Sequence, residues 1–423
     1  MKWGLHLFLS GALCFLVGCG AGTEAPEAEE PFTGQKNLYG VCYLAWEEVM
    51  REGEGLDEAE ISALIKNLGA KSVRVWMRAN DFMTSPTQLI EENVARMRNI
   101  LETLGDNGIA VIGMNARSFN RYGDGVSEAP LRTDESFGEY ISDYSTMWYT
   151  LAAAFPEITY WEIGNEPNNN RAYYYIEDRE YRTAPMSFDQ AADVFTEELY
   201  HASQAIRMAN PDAETILGGL TESEGLGLGE RSNGEFLQAI YDNIYSGEYP
   251  SVYPDDYFDC VAWHPYTWTF DEDYFVEEND KIYDVVLKNE GKDKKVFLTE
   301  FGWSDYLKTQ EEVAGYVTRI YDVIEKRMPY VQSACIFRLF NDAAERSWIG
   351  DDEERGYHMA TFGLFADPNA YALWEDYYID IENGGKKIIL TPGAPKPAAY
   401  AFQKKAGGVG SLGLLSNGKG KIK

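Results

Sequence analysis

Two carboxylates close strand-like runs far apart in the chain. Ile158-Thr159-Tyr160-Trp161-Glu162-Ile163-Gly164 leads into Asn165-Glu166-Pro167-Asn168, and Lys295-Val296-Phe297-Leu298-Thr299 leads into Glu300-Phe301-Gly302-Trp303. A carboxylate at the mouth of an apolar strand sits where a buried scaffold meets a cleft. Two that meet there can divide labour, one protonating a departing oxygen while the other attacks or activates water, as cleavage of a glycosidic bond requires. Their separation decides the outcome. Carboxyls about 5–5.5 Å apart permit double displacement, whereas a gap of about 6.5–9.5 Å admits a water and inverts the centre. One member must keep its proton near neutral pH, so repulsion from its ionised partner is expected to raise its pKa. A guanidinium such as Arg74 beside Glu300 would favour the ionised form there. Asn-Glu-Pro alone is also helix-start punctuation, and a lone Arg74 or His264 is also an ordinary ion-pair or core residue. It is the set that carries the reading. Glu162, in mid-strand, reads as part of a buried polar network.

The elements that must position this pair alternate regularly. Apolar runs at Tyr39–Ala45, Ser72–Met77, Ile109–Asn115, Thr159–Asn165, Thr215–Thr221, Phe258–His264, Lys295–Glu300 and Ser333–Phe340 read as strands buried on both faces. Amphipathic segments lie between them, at Asp57–Leu68, Ser85–Leu104, Glu135–Ala154, Ser187–Met208, Glu235–Tyr245, Glu278–Lys288, Thr309–Arg327 and Pro397–Lys405. Eight such units predict an α/β fold of the (β/α)8 TIM-barrel type. The competing open nucleotide-binding sheet is disfavoured, because Gly40-Val41-Cys42-Tyr43 does not supply its glycine-rich turn. In a barrel, functional side chains come from the C-terminal ends of different strands. Those ends present Arg74, Asn115, Asn165 with Glu166, His264-Pro265-Tyr266, and Glu300. The irregular stretch Asn341–Ala394 follows the eighth strand and belongs on the same face.

This constellation resembles the clan A retaining glycoside hydrolases, eight-stranded barrels with Asn-Glu-Pro on strand four and Glu on strand seven. The strings around Glu166 and Glu300 are similar to those of glycoside hydrolase families 39 and 5, over about residues 38–406. The resemblance implies Glu166 as acid/base, Glu300 as nucleophile, Asn165 as donor to a sugar 2-hydroxyl and Arg74 as the group that keeps the nucleophile ionised. It also implies His264 and Tyr266 as cleft residues, with a carbohydrate as the substrate and no cofactor. Asn115, Trp303 and Trp348 complete the expected substrate-binding set. One departure is visible. Many clan members place a tryptophan on strand eight beneath the cleaved sugar, where this chain reads Cys335-Ile336-Phe337-Arg338-Leu339-Phe340. Phe337, Phe340 or Trp348 is then the replacement. Trp46, Trp76, Trp268 and Tyr173-Tyr174-Tyr175 are further rings near strand ends that could stack on sugar faces.

The remaining composition narrows the setting. Of 423 residues, 45% are hydrophobic, which is ample for a packed core, and 69 acidic against 37 basic residues leave a net charge of −32. No nucleic-acid partner is expected, because phosphate binding needs a basic surface. Met1-Lys2 precedes an apolar run from Leu5 to Val17 that is short for a membrane span of roughly 20 residues. Leu16-Val17-Gly18-Cys19 resembles a bacterial lipoprotein signal with Cys19 lipidated, the alternative being ordinary signal cleavage near Gly20. The expected organisation is therefore signal 1–19, acidic flexible tether 20–37, barrel 38–406 and loose tail 407–423. The protein is expected to be exported as a monomer, touching the membrane of the bacterial envelope only through its lipid anchor, at the outer membrane or cell surface. Cys42, Cys260 and Cys335 read as buried thiols. Four histidines without ligand spacing give no expectation of a metal. Two rival functions are a catalytically silent carbohydrate-binding lipoprotein on the same barrel, which the intact carboxylates disfavour, and a two-lobed solute-binding lipoprotein, which the even strand spacing disfavours.

Overall fold

Each strand run alternates between two burial environments, and that alternation builds the architecture. The structure is a computed structural model that describes residues 37–43, 58–115, 127–169, 173–176, 183–221, 232–306, 308–342, 358–366 and 394–413. Among them, eight strands form a closed barrel: β1 (Tyr39–Tyr43), β2 (Ser72–Trp76), β3 (Ala110–Asn115), β4 (Tyr160–Asn165), β5 (Glu214–Thr221), β6 (Cys260–His264), β7 (Lys295–Phe301) and β8 (Val331–Ile336). Each strand pairs in parallel with its chain neighbours, and β1 closes the ring on β8 through Tyr39–Ala334, Gly40–Cys335 and Val41–Ile336. Val41, Val73, Val75, Val111, Trp161, Ile163, Val261 and Leu298 point outward into the large core under the helices. Cys42, Ile112, Ile216, Cys260, Ala262, Phe297 and Cys335 form a separate inner cluster. The three described cysteines are free and buried, as expected.

The helices follow in register: α1 (Glu58–Leu68), α2 (Glu91–Asp106), α3 (Phe137–Ala154), α4 (Phe188–Ala209), α5 (Asn233–Ser246), α6 (Glu272–Glu290), α7 (Gln310–Arg327) and α8 (Pro397–Ala406). Ser187, Ser232 and Thr309 close full capping boxes at the starts of α4, α5 and α7, each satisfying backbone donors that the first turn leaves open. Three boundaries differ most from expectation. Residues 83–85 and 88–89 pair as a small antiparallel hairpin, so α2 starts after Ile90. α6 starts at Glu272 rather than Glu278, with the Asp271 side chain as its cap. β8 ends at Ile336 although the apolar run continues to Phe340; beyond it, Phe337 and Leu339 still donate their amides to Phe301 on β7 and Cys42 on β1 (2.7 and 2.9 Å).

The tail expected to be loose from Gly407 is held through its first residues. Gln403 donates to the Gly410 carbonyl (3.1 Å), Asn67 donates to the Ser411 carbonyl (3.0 Å), and Leu412 is buried. The expected signal and lipidation site at Cys19, residues 20–36 of the tether, Asp57, Trp46, Trp348 and residues 414–423 lie outside the described residues. No described helix is long and apolar enough to cross a membrane.

Candidate active site

Arg74 is the hub at the C-terminal mouth of the barrel. It projects inward from the middle of β2 and is fully buried. Its Nε donates to Glu162 Oε2 (2.5 Å) and its Nη2 to Glu162 Oε1 (3.1 Å) and Asn165 Oδ1 (2.7 Å), while Nη1 donates to Glu300 Oε1. Burial opposes the guanidinium charge, but Glu162 and Glu300 outweigh it and hold its pKa well above the ordinary value. Glu162 is thus the network carboxylate the sequence suggested, seated below the reaction site.

Two local distortions bring both functional carboxylates to this hub. On β4, Gly164 has φ +90° and Glu166 φ +49°; Glu166 is the described non-glycine residue with positive φ. A left-handed conformation costs a non-glycine residue about 1–3 kcal/mol and persists only where its surroundings hold it. Here the Glu166 amide donates to the Gly219 carbonyl (2.9 Å) and its carbonyl accepts from Asn169 N (2.8 Å). The turn lets Asn165 and Glu166 face the cleft together, which a strand of period two would forbid. On β7 the register with β8 jumps between Leu298 and Phe301, a bulge that spans Thr299 and Glu300. Both of these adjacent residues consequently reach inward, Thr299 to Glu162 and Glu300 to Arg74.

The two carboxyls come close. One oxygen each of Glu166 and Glu300 lies within 4.8 Å of the other, with a ring nitrogen of His264 inside the same distance. Their environments differ. Glu300, 8% exposed in its side chain, sits against Arg74 and accepts from the Tyr266 hydroxyl (3.0 Å). Glu166, 20% exposed, bonds His264 Nδ1 through Oε1 (3.0 Å) and accepts from Asn169 Nδ2 through Oε2 (3.0 Å). Burial pushes the Glu166 carboxyl up, but the His264 hydrogen bond and charge, with Asn169 and Arg74, outweigh it and leave it lowered. That reverses the expected direction, and the reason lies in its partner. Burial pushes the His264 imidazole down, yet Glu300 and Glu166 outweigh that and raise it. Both directions favour moving the proton expected on the carboxyl to its imidazole partner 3.0 Å away. Burial and the neighbouring Glu300 hold the Tyr266 phenol well above its ordinary pKa, so it stays a donor. Glu166, His264 and Glu300 form a described group with metal-ligand proximity, but these atoms already hold one another, Arg74 and Tyr266.

Arg74, Asn165, Glu166, His264, Tyr266 and Glu300 are thus brought together, while two expected contributors take other roles. Asn115 is fully buried and accepts from the Ala79 amide (3.3 Å), fixing the chain after β2. Trp303 is 5% exposed and packs against Phe270, Phe301 and Tyr316, so it is core rather than a sugar platform. Of the three candidates to replace the strand-eight tryptophan, Phe337, next after β8, lies beside Tyr266 (centroids 6.5 Å) with Phe362 (5.9 Å from Tyr266), Phe340 packs on Phe365, and Trp348 lies outside the described residues. Tyr173–Ile176 is a strand paired with residues 183–185 and 127–128, and its ring positions lie outside the described residues. Thr299, Gly219, Asn169 and Phe362 were missed. Only Asn169, in the polar run after Pro167, carried a local signal.

Comparison with known proteins agrees with this geometry. The sequence matches cellulase (glycosyl hydrolase family 5) over residues 28–331. No curated protein sequence matches it. Among solved structures, a family 39 glycoside hydrolase from the gut symbiont Bacteroides cellulosilyticus WH2 is similar at 17% identity and TM-score 0.56, over 88% of this chain; this chain spans 64% of that one. A GH5-4 broad specificity endoglucanase from Clostridium acetobutylicum is similar at 13% identity and TM-score 0.53, covering 88% of this chain and 96% of its own. A GH5_18 protein from Bifidobacterium longum subsp. longum ATCC 55813, in complex with Manb1-4GlcNAc, is similar at 14% identity and TM-score 0.53, covering 88% and 78%. At these identities the likeness is one of fold.

Proposed function

The chain belongs to glycosyl hydrolase family 5, and from that premise we propose that it is a retaining β-glycosidase acting on a poly- or oligosaccharide by double displacement. The observation that carries this reading is the approach of one oxygen each of Glu166 and Glu300 to within 4.8 Å, which supports the short carboxyl separation of direct attack over the wide one of an inverting site. Glu300 is the nucleophile. Arg74 and Tyr266 direct donors at its two oxygens, which holds the carboxylate at a fixed angle to the sugar. Glu166 is the acid/base. Its greater exposure lets it reach a departing oxygen, and its pairing with His264 supplies the proton. In the first step Glu300 attacks the anomeric carbon, the glycosidic bond breaks and the leaving oxygen takes the proton from the Glu166–His264 pair. In the second step the pair takes a proton from water, whose oxygen displaces Glu300 with restored configuration.

Phe337 and Phe362 are the proposed floor of the cleaved sugar's site. Rings continue outward from Phe362 to His358 (4.9 Å) and from His358 to Trp268 (5.0 Å), and Trp268 is 64% exposed. This exposed ring, with Lys308 Nζ 5.0 Å from its centroid, supports a role in contacting a more distant sugar. Export and anchoring through Cys19 remain part of the proposal, supported by the residues around it. The testing experiment is hydrolysis of a β-glycan panel, β-glucans first, with products resolved by chain length and their anomeric form followed by NMR. β-Anomer released first supports the reading. No hydrolysis with retained glycan binding would favour a silent binding protein.

A further inference from the structure

A buried polar network lies one layer below the two functional carboxylates, and donor counting determines where its protons sit. Glu162 Oε1 accepts from the Gly219 amide (2.9 Å), Arg74 Nη2 (3.1 Å) and the Thr299 hydroxyl (2.9 Å), while Oε2 accepts from Arg74 Nε (2.5 Å). A carboxylate ringed by donors accepts only, so the single Thr299 proton points at Glu162. Thr299 Oγ1 also lies 3.1 Å from His264 Nε2. With its own proton committed, Thr299 can only accept there, and Nε2 must carry a hydrogen. Neutral imidazole has one N–H. Nδ1, 3.0 Å from Glu166 Oε1, is then a bare lone pair unless another proton occupies the gap.

We infer that Glu162, acting through the Thr299 hydroxyl, fixes His264 as its Nε2–H tautomer and so holds the working proton between His264 Nδ1 and Glu166. Thr299 is a positioning residue here, and the inference rests on reading Glu166 as the acid/base. The energetic consequence follows from the state without that proton. An ionised Glu166 facing the Nδ1 lone pair loses its hydrogen bond to His264, keeps only the Asn169 donor on Oε2 and meets a repulsive contact at Oε1, so the pair resists deprotonation. Were the tautomer free, Nδ1–H would donate to the carboxylate and the proton would be given up more easily. Other charged or titratable neighbours act on the same pair. Glu300 Oε2 lies 3.8 Å from Nδ1 and favours retention, Arg74 opposes it, and Tyr266 stays neutral against Glu300. The close approach depends on Gly219, where a Cβ would stand 2.1 Å from His264 Nε2 and 2.7 Å from Thr299 Oγ1.

The test reads the tautomer first. In protein labelled with 15N-histidine, His264 is assigned by comparison with His6→Asn, His201→Asn and His358→Asn. Neutral His264 should carry its proton on Nε2; a proton on Nδ1 would overturn the inference whether or not the chain hydrolyses glycans. Thr299→Val, which keeps the shape and removes the hydroxyl, should shift population to Nδ1–H. It should also lower the basic limb of the kcat/KM profile by about one pH unit, a tenfold weaker hold on the proton. Thr299→Ser should restore the wild-type limb. Loss of rate with an unmoved limb would reduce Thr299 to packing and defeat the proposal. If Thr299→Val does not fold, the wild-type spectrum and Thr299→Ser still decide it.

Discussion

Replacing Arg74 by Met should expose how much charge the barrel mouth contains. The substitution keeps length and apolar character but removes the cation from between Glu162 and Glu300, whose side chains are 0% and 8% exposed. Solvent cannot screen the carboxylates left behind, and Glu162 keeps only the Thr299 and Gly219 donors on Oε1. Breaking a buried pair by removing one partner costs about 3–5 kcal/mol, most of it the unpaired charge. At roughly 2 °C per kcal/mol for a domain of this size, the melting temperature should fall by about 6–10 °C. The sign of the pH dependence is equally specific. Protonating either stranded carboxylate removes the uncompensated charge, so the deficit against wild type should shrink as pH falls. Melting both proteins at one scan rate at about pH 7 and about pH 5 measures this directly. Arg74→Lys, which keeps a charge but not the three-way fork, should fall between. A variant that melts within about 2 °C of wild type, with no change between the two pH values, would refute the account of Arg74 as the cation balancing two buried carboxylates.

Glu166→Ala should lose far more activity on natural glycans than on a nitrophenyl glycoside, because a phenol of low pKa departs with little proton help. Azide should rescue turnover and give a β-glycosyl azide; equal losses on both substrates, with no azide effect, would remove Glu166 from the acid/base role. Trp268→Ala should raise KM several-fold on long oligosaccharides, a loss of about 1 kcal/mol of stacking, and leave short chromogenic substrates unchanged; equal changes on both place Trp268 outside the binding path. Cys19→Ala should move the protein from the membrane fraction to the soluble fraction, and wild-type protein already soluble with a mature N-terminus other than Cys19 would contradict anchoring.

Much of the barrel was legible because each strand is a short apolar run set off from the next by an amphipathic helical segment. Val73-Arg74-Val75 already shows a polar residue facing inward between two apolar ones facing the helices. Residues at strand ends that carry charge, such as Glu166, His264 and Glu300, stood out against apolar neighbours for the same reason. What stayed hidden depends on local backbone geometry. Thr299 precedes Glu300, so a regular strand would send one of them outward; the β7 bulge, absent from any sequence pattern, turns both in. Gly219 reads as a strand glycine until the approach of His264 gives it a purpose. Trp303 sat at a strand end, where an aromatic suggests a platform, yet the sequence does not reveal that Phe270 and Tyr316 enclose it. The lowered carboxyl at Glu166 was missed because its partner His264 lies 98 residues away, and only the fold brings it to 3.0 Å.

The central claim is that Glu300 attacks the sugar while Glu166 handles the proton, and trapping the intermediate tests it most directly. A 2-fluoro β-glycoside with an activated leaving group should inactivate the enzyme with one equivalent of label, because the fluorine slows both steps and the good leaving group speeds only the first. Peptide mapping should place the adduct on Glu300, and Glu300→Ala should take up none. Label on Glu166 or Glu162 instead, or an enzyme that turns over natural glycan to the α-anomer and is never labelled, would contradict the account.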